Sequence, residues 1–142
     1  MNFWDSSALV ALLVQQKKTD AAMKIYEKDS SVPITWWASS LECLSAIRRL
    51  EREKALTAEE ASAAASALKT FSASWHEVAP TNAVRERAKR LVNVHPLKTA
   101  DSLQLAAALI YSESSNLPGH FVSFDLQLNA AARKEGLEVL ED

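Results

Sequence analysis

Short apolar runs alternate along the chain with longer segments whose apolar residues repeat every three or four positions. Short runs rich in β-branched and aromatic side chains are typical of buried strands, whereas the longer repeat is typical of amphipathic helices. The pattern predicts five strands, at residues 1–4, 31–35, 75–78, 120–124 and 138–140. It also predicts seven helices, at about residues 8–16, 20–28, 36–52, 58–74, 82–94, 100–113 and 126–135.

The order of these elements predicts the fold class. Strands alternate with helices, and no hairpin signal such as Asn-Gly joins two strands. Such an order indicates a parallel sheet with helices on both faces. We therefore expect an α/β fold, a three-layer α/β/α sandwich with a central, mostly parallel sheet, formed as a single domain by residues 1–142.

Several predicted helix ends carry capping residues. Asp5-Ser6-Ser7 and Asp125 stand where N-caps are needed, and Thr99 is placed to cap a third helix. Thr57-Ala58-Glu59-Glu60 has the pattern of a capping box, and Gly136 suits the position just after a helix end. These signals indicate where the helices begin and end.

Two helices have informative apolar faces. The helix at 100–113 is apolar nearly all round, which indicates deep burial. The helix at 36–52 carries a row of large apolar residues at helical spacing, and we expect this row to face the core. The row consists of Trp37, Leu41, Leu44, Ile47 and Leu50.

Composition narrows the class of protein. Hydrophobic residues make up 48% and charged residues 24% of the chain, as in ordinary globular domains. No apolar run reaches the ~18 residues of a membrane span, and no basic segment precedes Asp5 as in a signal peptide. We therefore expect a cytoplasmic protein without a membrane partner. The single Cys43 excludes an internal disulfide.

Other common sites are excluded by residue type. His76, His95 and His120 are scattered rather than spaced as metal ligands, so a zinc site is not expected. Gly119 and Gly136 are the only glycines, which excludes Gly-rich phosphate loops of the Walker and Rossmann kinds. The nucleophile elbow of a serine hydrolase is also absent.

Two aspartates follow predicted strands directly. Asp5 follows the first strand and Asp125 the fourth. In open parallel sheets the ligand crevice lies beyond the carboxyl ends of the strands, so both are candidate site residues. Each also has a simpler interpretation, since Asp is a favoured N-cap that accepts N–H bonds from the next helix.

Two further acids lie on apolar helices. Asp101 is in the first turn of the most apolar helix, where it is either a surface acid favoured by the helix dipole or a carboxylate at a cleft edge. Glu42 shares a helix face with the small residues Ser39, Ser45 and Ala46, which would let another element approach closely. A buried acid needs a cation or hydrogen bonds, although a solvated Glu42 is also possible.

With these motifs in view, the sequence resembles the PIN-domain ribonucleases, most closely the VapC toxins of bacterial toxin–antitoxin pairs. The resemblance covers nearly the whole chain. Two departures stand out: Gln104 occupies a position where many members carry His, and Trp4 is bulkier than the usual aliphatic residue. The segments that carry the resemblance are Phe3–Val10, Ser39–Ala46 around Glu42, His95–Ala108 around Asp101, and Phe121–Leu128 with the Ala131-Ala132 and Gly136-Leu137 pairs that follow.

The resemblance implies that Asp5, Glu42, Asp101 and Asp125 hold one or two divalent ions and cut RNA, leaving 5′-phosphate and 3′-hydroxyl ends. Carboxylates suit Mg²⁺, with Mn²⁺ as the alternative, because both are hard ions that also bind phosphate oxygens. Ser6 and Ser123 would orient the ligands, or else serve only as capping residues. The resemblance also implies a small VapB-like antitoxin and a homodimer.

RNA must also be held against the protein. Among the basic residues, Arg49 is the best candidate for binding RNA, because it lies seven residues from Glu42 and so on nearly the same helix face. Trp36, Trp37 and Trp75 could stack on bases, although a core role is favoured. The net charge of −2 permits RNA binding, since the chain without four clustered carboxylates would carry +2.

Two alternatives remain open. The first is a PIN-like domain that lacks catalytic activity and serves as a binding scaffold. The second is a receiver-like signalling domain, but Asp5 has no acidic neighbour and no Lys follows a late strand as that class requires. A phosphate-transfer enzyme of the haloacid dehalogenase kind is disfavoured, since Ser7 stands where its second aspartate would be.

Overall fold

The chain folds around a sheet of five very short parallel strands. A computed structural model describes residues 1–142. Every strand is three residues long, and every pairing between neighbours is parallel, in the spatial order β3-β2-β1-β4-β5. The sheet is thus entirely parallel. The strands are β1 (Asn2–Trp4), β2 (Ile34–Trp36), β3 (His76–Val78), β4 (His120–Val122) and β5 (Glu138–Leu140).

Seven helices complete the fold, as the sequence predicts. Helix boundaries differ from the predicted ones by up to three residues, as where the first helix ends at Leu13 rather than near Gln16 and the third begins at Ser39 rather than near Trp36. The helices are α1 (Ser6–Leu13), α2 (Thr19–Lys28), α3 (Ser39–Arg52), α4 (Ala58–Ser72), α5 (Asn82–Val94), α6 (Thr99–Ser115) and α7 (Leu126–Lys134).

The sheet separates two apolar layers. Successive side chains of a strand point to opposite faces, so Phe3 packs with α5, α6 and α7, whereas its neighbour Trp4 packs with α1 to α4. In β4, Phe121 and Val122 divide between the layers in the same way. The predicted α/β/α sandwich with a central parallel sheet is therefore confirmed.

The strand order fixes where a crevice can form. From β1 the chain moves outward to β2 and β3, and it then returns to the other side of β1 to build β4 and β5. In open parallel sheets a ligand crevice forms at such a reversal, so it is expected beyond the carboxyl ends of β1 and β4. Asp5 and Asp125 lie in the chain just after those two strands.

Helix α6 contributes seven buried residues, more than any other helix, as its all-round apolar pattern predicts. Its residues from Gln104 to Leu109 are all buried, together with Ser102. One capping prediction on this helix is wrong. Thr99 is already helical and the N-cap is Lys98, because the Lys98 carbonyl oxygen accepts the first helical hydrogen bond, from the backbone N–H of Ser102 at 2.9 Å. The capping box at Thr57 and the left-handed Gly136 are confirmed.

The predicted buried face of α3 is wrong for three of its five residues. Trp37, just before the helix, is 57% exposed and Leu41 is 67% exposed, and Leu44 is exposed as well. The helix buries Ser39 and Cys43 along with the predicted Ile47, and Cys43 and Ile47 pack in the layer that includes α1 and α4. Small residues let these helices approach closely, and that preference outweighs the size of the apolar residues left outside. Trp36 and Trp75 are buried as expected.

The structure contains no candidate membrane-spanning helix. None of the seven helices combines the length and the apolar composition needed to cross a bilayer.

Two substitutions on α3 test which face is buried. Ile47→Ala should lower the free energy of unfolding by about 2–5 kcal/mol, because it opens a cavity in the layer formed by α1 to α4. Leu41→Ala on the exposed face should change it by less than about 0.5 kcal/mol. Urea unfolding of both variants measures the difference, and equal losses would contradict this orientation of α3.

Candidate active site

Asp5 is both an N-cap and a buried site residue. Its side chain is withdrawn from water, with 3% of the residue exposed. One carboxylate oxygen accepts three hydrogen bonds, from the backbone N–H of Ser7 at 3.3 Å, from Ser7 Oγ at 2.6 Å and from Ser123 Oγ at 3.2 Å. The two interpretations from the sequence therefore do not compete, since capping α1 holds the carboxylate at the edge of the sheet.

Burial changes the acidity of Asp5. Loss of hydration raises its pKa to about 6, and the charge of Asp101 adds to the rise. The hydrogen bonds from Ser7 and Ser123 stabilise the ionised form and partly oppose the rise. A carboxylate with a pKa this high gains free energy when a cation approaches.

Glu42 is held by an amide from the opposite layer. Gln104 on α6 directs its Nε2 to Glu42 Oε1 at 2.7 Å, and the same nitrogen lies 3.2 Å from Ser39 Oγ and 3.1 Å from Ser6 Oγ. Gln104 is itself buried, with 1% of the residue exposed. One amide group therefore joins α1, α3 and α6 at the site.

Glu42 also has an abnormal acidity. Burial is the main cause that raises its pKa to about 7, and the charges of Asp5 and Asp101 raise it further, while the hydrogen bond from Gln104 lowers it. The sequence left open whether Glu42 is solvated. It is half-buried and hydrogen-bonded, which favours the interpretation as a site residue.

Asp101 and Asp125 complete the set of acids. Asp101 lies half-buried in the first turn of α6, and burial followed by the charge of Asp125 raises its pKa, against the opposing charge of Lys98. Asp125 caps α7 by accepting the backbone N–H of Leu128 at 2.9 Å. Its own backbone N–H donates to Ser123 Oγ at 3.2 Å.

The acids interact electrostatically without forming a tight cluster. The charge of Asp101 raises the pKa of both Asp5 and Glu42, and the charge of Asp125 raises the pKa of Asp101. No group of three or more His, Cys, Asp or Glu side chains, however, lies close enough together to coordinate one metal ion. Coordination of metal by these four residues therefore stays a prediction.

The donor set fits a hard divalent cation. The side chains that hydrogen-bond to the acids, those of Ser7, Ser123 and Gln104, offer hydroxyl oxygen or amide nitrogen. The single thiol, Cys43, is buried, and loss of hydration raises its pKa far above the ordinary value. Mg²⁺ keeps several waters and is usually bound through one or two protein carboxylates together with substrate phosphates. A site of this kind does not require three protein ligands to be assembled beforehand.

The hydroxyl groups are arranged differently from the simplest expectation. Ser123 lies between Asp5 and the backbone of Asp125, as an orienting residue would. Ser6 contacts Gln104, and it is Ser7 that donates to Asp5. Ser7 was missed as a site residue, although a serine two residues after an N-cap Asp is well placed to donate to it.

A groove opens beside Glu42. It has a volume of about 550 Å³ and runs between α1 and α3. Glu42 and the exposed Arg49 both line it, and the small side chains of Ser45 and Ala46 keep it open. Asp101 and Asp125 lie outside its lining, so the groove reaches the acids from the side of Glu42.

The raised pKa of Asp5 predicts how the metal-free protein responds to pH. An unfolded chain ionises this group near 3.8, whereas the folded protein keeps its proton up to about pH 6, so the free energy of unfolding falls as pH rises between these values. The loss from this group is about 3 kcal/mol. In Asp5→Asn, urea unfolding in EDTA from about pH 4 to about pH 7 should show a flatter dependence on pH. Parallel curves for the two proteins would contradict the burial of a charged Asp5.

Comparison with known proteins supplies the family. The sequence pattern of the PIN domain matches residues 3–134, which is nearly the whole chain. No curated protein matches the chain at a significant level. PIN domains are generally nucleases and generally use divalent metal ions. The matched residues include Asp5, Glu42, Asp101 and Asp125. The chain belongs to the PIN domain family.

Proposed function

We propose that this chain is a metal-dependent endoribonuclease that hydrolyses RNA to 5′-phosphate and 3′-hydroxyl ends. The observation that supports this most directly is the group of acids with raised pKa values beyond the carboxyl ends of β1 and β4. Acids that raise one another's pKa in a protein of a nuclease family are best explained by a cation that binds them together with phosphate.

The four acids would divide the work of binding the cations. Asp5, Glu42, Asp101 and Asp125 would hold one or two Mg²⁺ ions, or Mn²⁺ in their place. The bound cation supplies Lewis acidity and neutralises negative charge beside the scissile phosphate. Ser123 keeps Asp5 oriented, and Gln104 does the same for Glu42. No side chain forms a covalent intermediate in this mechanism.

Arg49 is the residue that we propose for binding the RNA backbone. It is exposed on the groove that leads to Glu42, and it makes no ion pair with an acidic residue. Its neighbour Arg48 is paired with Glu51 at 3.0 Å. The basic residues of α5 are largely paired too, since Arg87 and Lys89 contact Glu113 and Glu86. An unpaired guanidinium beside the acids can bind a phosphate at full strength.

We also propose that the chain is the cytoplasmic toxin of a VapBC-type pair, with a small antitoxin as partner and a homodimer as its working form. The support is the resemblance of the four motifs and the exposed apolar row Trp37, Leu41 and Leu44. Large exposed apolar surfaces commonly mark protein–protein contacts. An antitoxin that covered this row would also reach the mouth of the groove.

One alternative keeps a specific observation in its favour. Because no three acids are close enough to coordinate one ion, the chain could be a PIN domain that binds RNA without cutting it. The receiver-like alternative is removed by membership in the PIN family. Cleavage assays separate the two remaining functions.

The first test is cleavage of RNA in the presence of Mg²⁺ or Mn²⁺. The wild type should cleave and should melt at a higher temperature with Mn²⁺, because the cation binds only the folded site. Asp5→Asn should reduce kcat by more than about 100-fold and abolish the shift in melting temperature. Arg49→Ala should raise KM roughly tenfold with little change in kcat, since a charge-assisted hydrogen bond contributes about 1.5 kcal/mol.

Glu59→Gln is a matched control, because Glu59 is an exposed acid in the first turn of α4. It should behave as the wild type in both measurements. If the wild type melts higher with Mn²⁺ but leaves RNA intact, the scaffold is the correct function. Sequencing the ends of the products checks the predicted 5′-phosphate.

The second test concerns the partner. Expression of the wild type should arrest growth, and co-expression of a small protein encoded next to its gene should relieve the arrest. Leu41→Ser should stay toxic but be relieved less, because it removes apolar contact area from the exposed row. Val94→Ser, which alters a residue 60% exposed on α5, is the control. Full relief of Leu41→Ser would contradict docking on α3, and light scattering measures whether the free protein is a dimer.

A further inference from the structure

The loop between β4 and α7 carries two residues of the site and is held from behind. It consists of Ser123, Phe124 and Asp125. The peptide group between Ser123 and Phe124 is bound at both ends: its N–H donates to Ser7 Oγ at 3.4 Å, and its carbonyl oxygen accepts from Asn129 Nδ2 at 2.8 Å. Because a peptide group is planar, holding both ends fixes its rotation.

Asn129 lies one turn into α7 and has no access to solvent. Its backbone N–H donates to the Asp125 carbonyl oxygen at 2.9 Å as part of the helix. Its side chain donates to the Ser123 carbonyl oxygen and to Glu141 Oε2, the latter at 3.0 Å. Asn129 is therefore connected to the residues on both sides of Phe124.

The orientation of this amide is determined by its neighbours. The Ser123 carbonyl oxygen and the Glu141 carboxylate are both acceptors, so only the NH₂ end of Asn129 can face them. The amide oxygen is left buried without a partner. A buried acceptor with no partner costs about 1–3 kcal/mol, which makes Asn an unfavourable choice for stability alone.

Glu141 is fixed in its turn. It follows β5 in the chain, and its other carboxylate oxygen accepts from Arg133 at 2.6 Å. The pKa of Glu141 is lowered first by the hydrogen bond from Arg133, and the bond from Asn129 adds to this, so Glu141 is ionised and a strong acceptor. The segment after β5 thus supports the loop through Asn129.

We propose that Asn129 is a positioning residue of the active site, which sets the loop so that the Ser123 hydroxyl reaches both Asp5 and the backbone of Asp125. It acts through two steps, because Asn129 holds the Ser123 carbonyl oxygen and the Ser123 hydroxyl joins Asp5 to the backbone of Asp125. Glu141 and Arg133 keep the amide in place. The inference rests on the proposed nuclease function, and it assigns this role to a residue that touches neither RNA nor metal.

The experiment compares variants of the full chain. Asn129→Leu keeps the branched shape of the side chain but removes both donated hydrogen bonds. We expect kcat to fall about 10–100-fold and the affinity for Mn²⁺, measured by calorimetry, to fall by a similar factor. KM for RNA should stay within about twofold, because the groove beside Arg49 is unaltered. Glu141→Gln, which alters a partly exposed side chain near the end of the chain and keeps its size, should give a smaller loss in the same direction.

Leu91→Ala is the control for loss of stability, since Leu91 is buried on α5 in one apolar layer, whereas Phe124 of the loop packs against the other layer. Even if its melting temperature falls as far as that of Asn129→Leu, Leu91→Ala should keep wild-type kcat and Mn²⁺ affinity. The proposal is overturned if Asn129→Leu and Leu91→Ala retain the same kcat and Mn²⁺ affinity. If Asn129→Leu does not fold, Glu141→Gln decides, and wild-type values for it overturn the proposal. A wild type that binds Mn²⁺ but does not cut RNA contradicts the nuclease function instead, while the affinity comparison still tests Asn129.

Discussion

The removal of the Asp5 carboxylate from water is the constraint on which the rest of the site depends. A buried acid is unfavourable unless hydrogen bonds or a cation compensate for lost hydration. Ser7 and Ser123 supply part of that compensation, and they remain too few to restore an ordinary pKa. The fold therefore holds an incompletely compensated carboxylate just after β1, where a positive charge would be stabilised.

The short strands make this arrangement possible. With three residues in each strand, the sheet contributes only a narrow central layer, and the helices form most of both cores. The reversal of strand order beside β1 then brings the ends of two strands and the start of α6 to one edge. Polar groups are concentrated beyond these strand ends, whereas both faces of the sheet are filled by apolar layers.

Much of this could be predicted from the sequence, and the exceptions have physical reasons. The all-round apolar pattern identified α6, and Asp5 and Asp125 were placed correctly because an N-cap is a local signal. The buried face of α3 was predicted wrongly, since spacing shows that a face is apolar but not what will pack against it. Gln104 was noted only as a departure from the family pattern, because its three partners lie 62 to 98 residues away in the chain.

The contacts of Gln104 have a consequence for how the molecule can change. The helix that bears it packs on one side of the sheet, whereas Ser6 and Ser39 belong to helices on the other side. A single buried amide thus joins helices of both cores. Mutations that loosen the packing of either core would therefore displace Gln104 and with it Glu42. Function at this site and thermal stability would then have to evolve together in this protein.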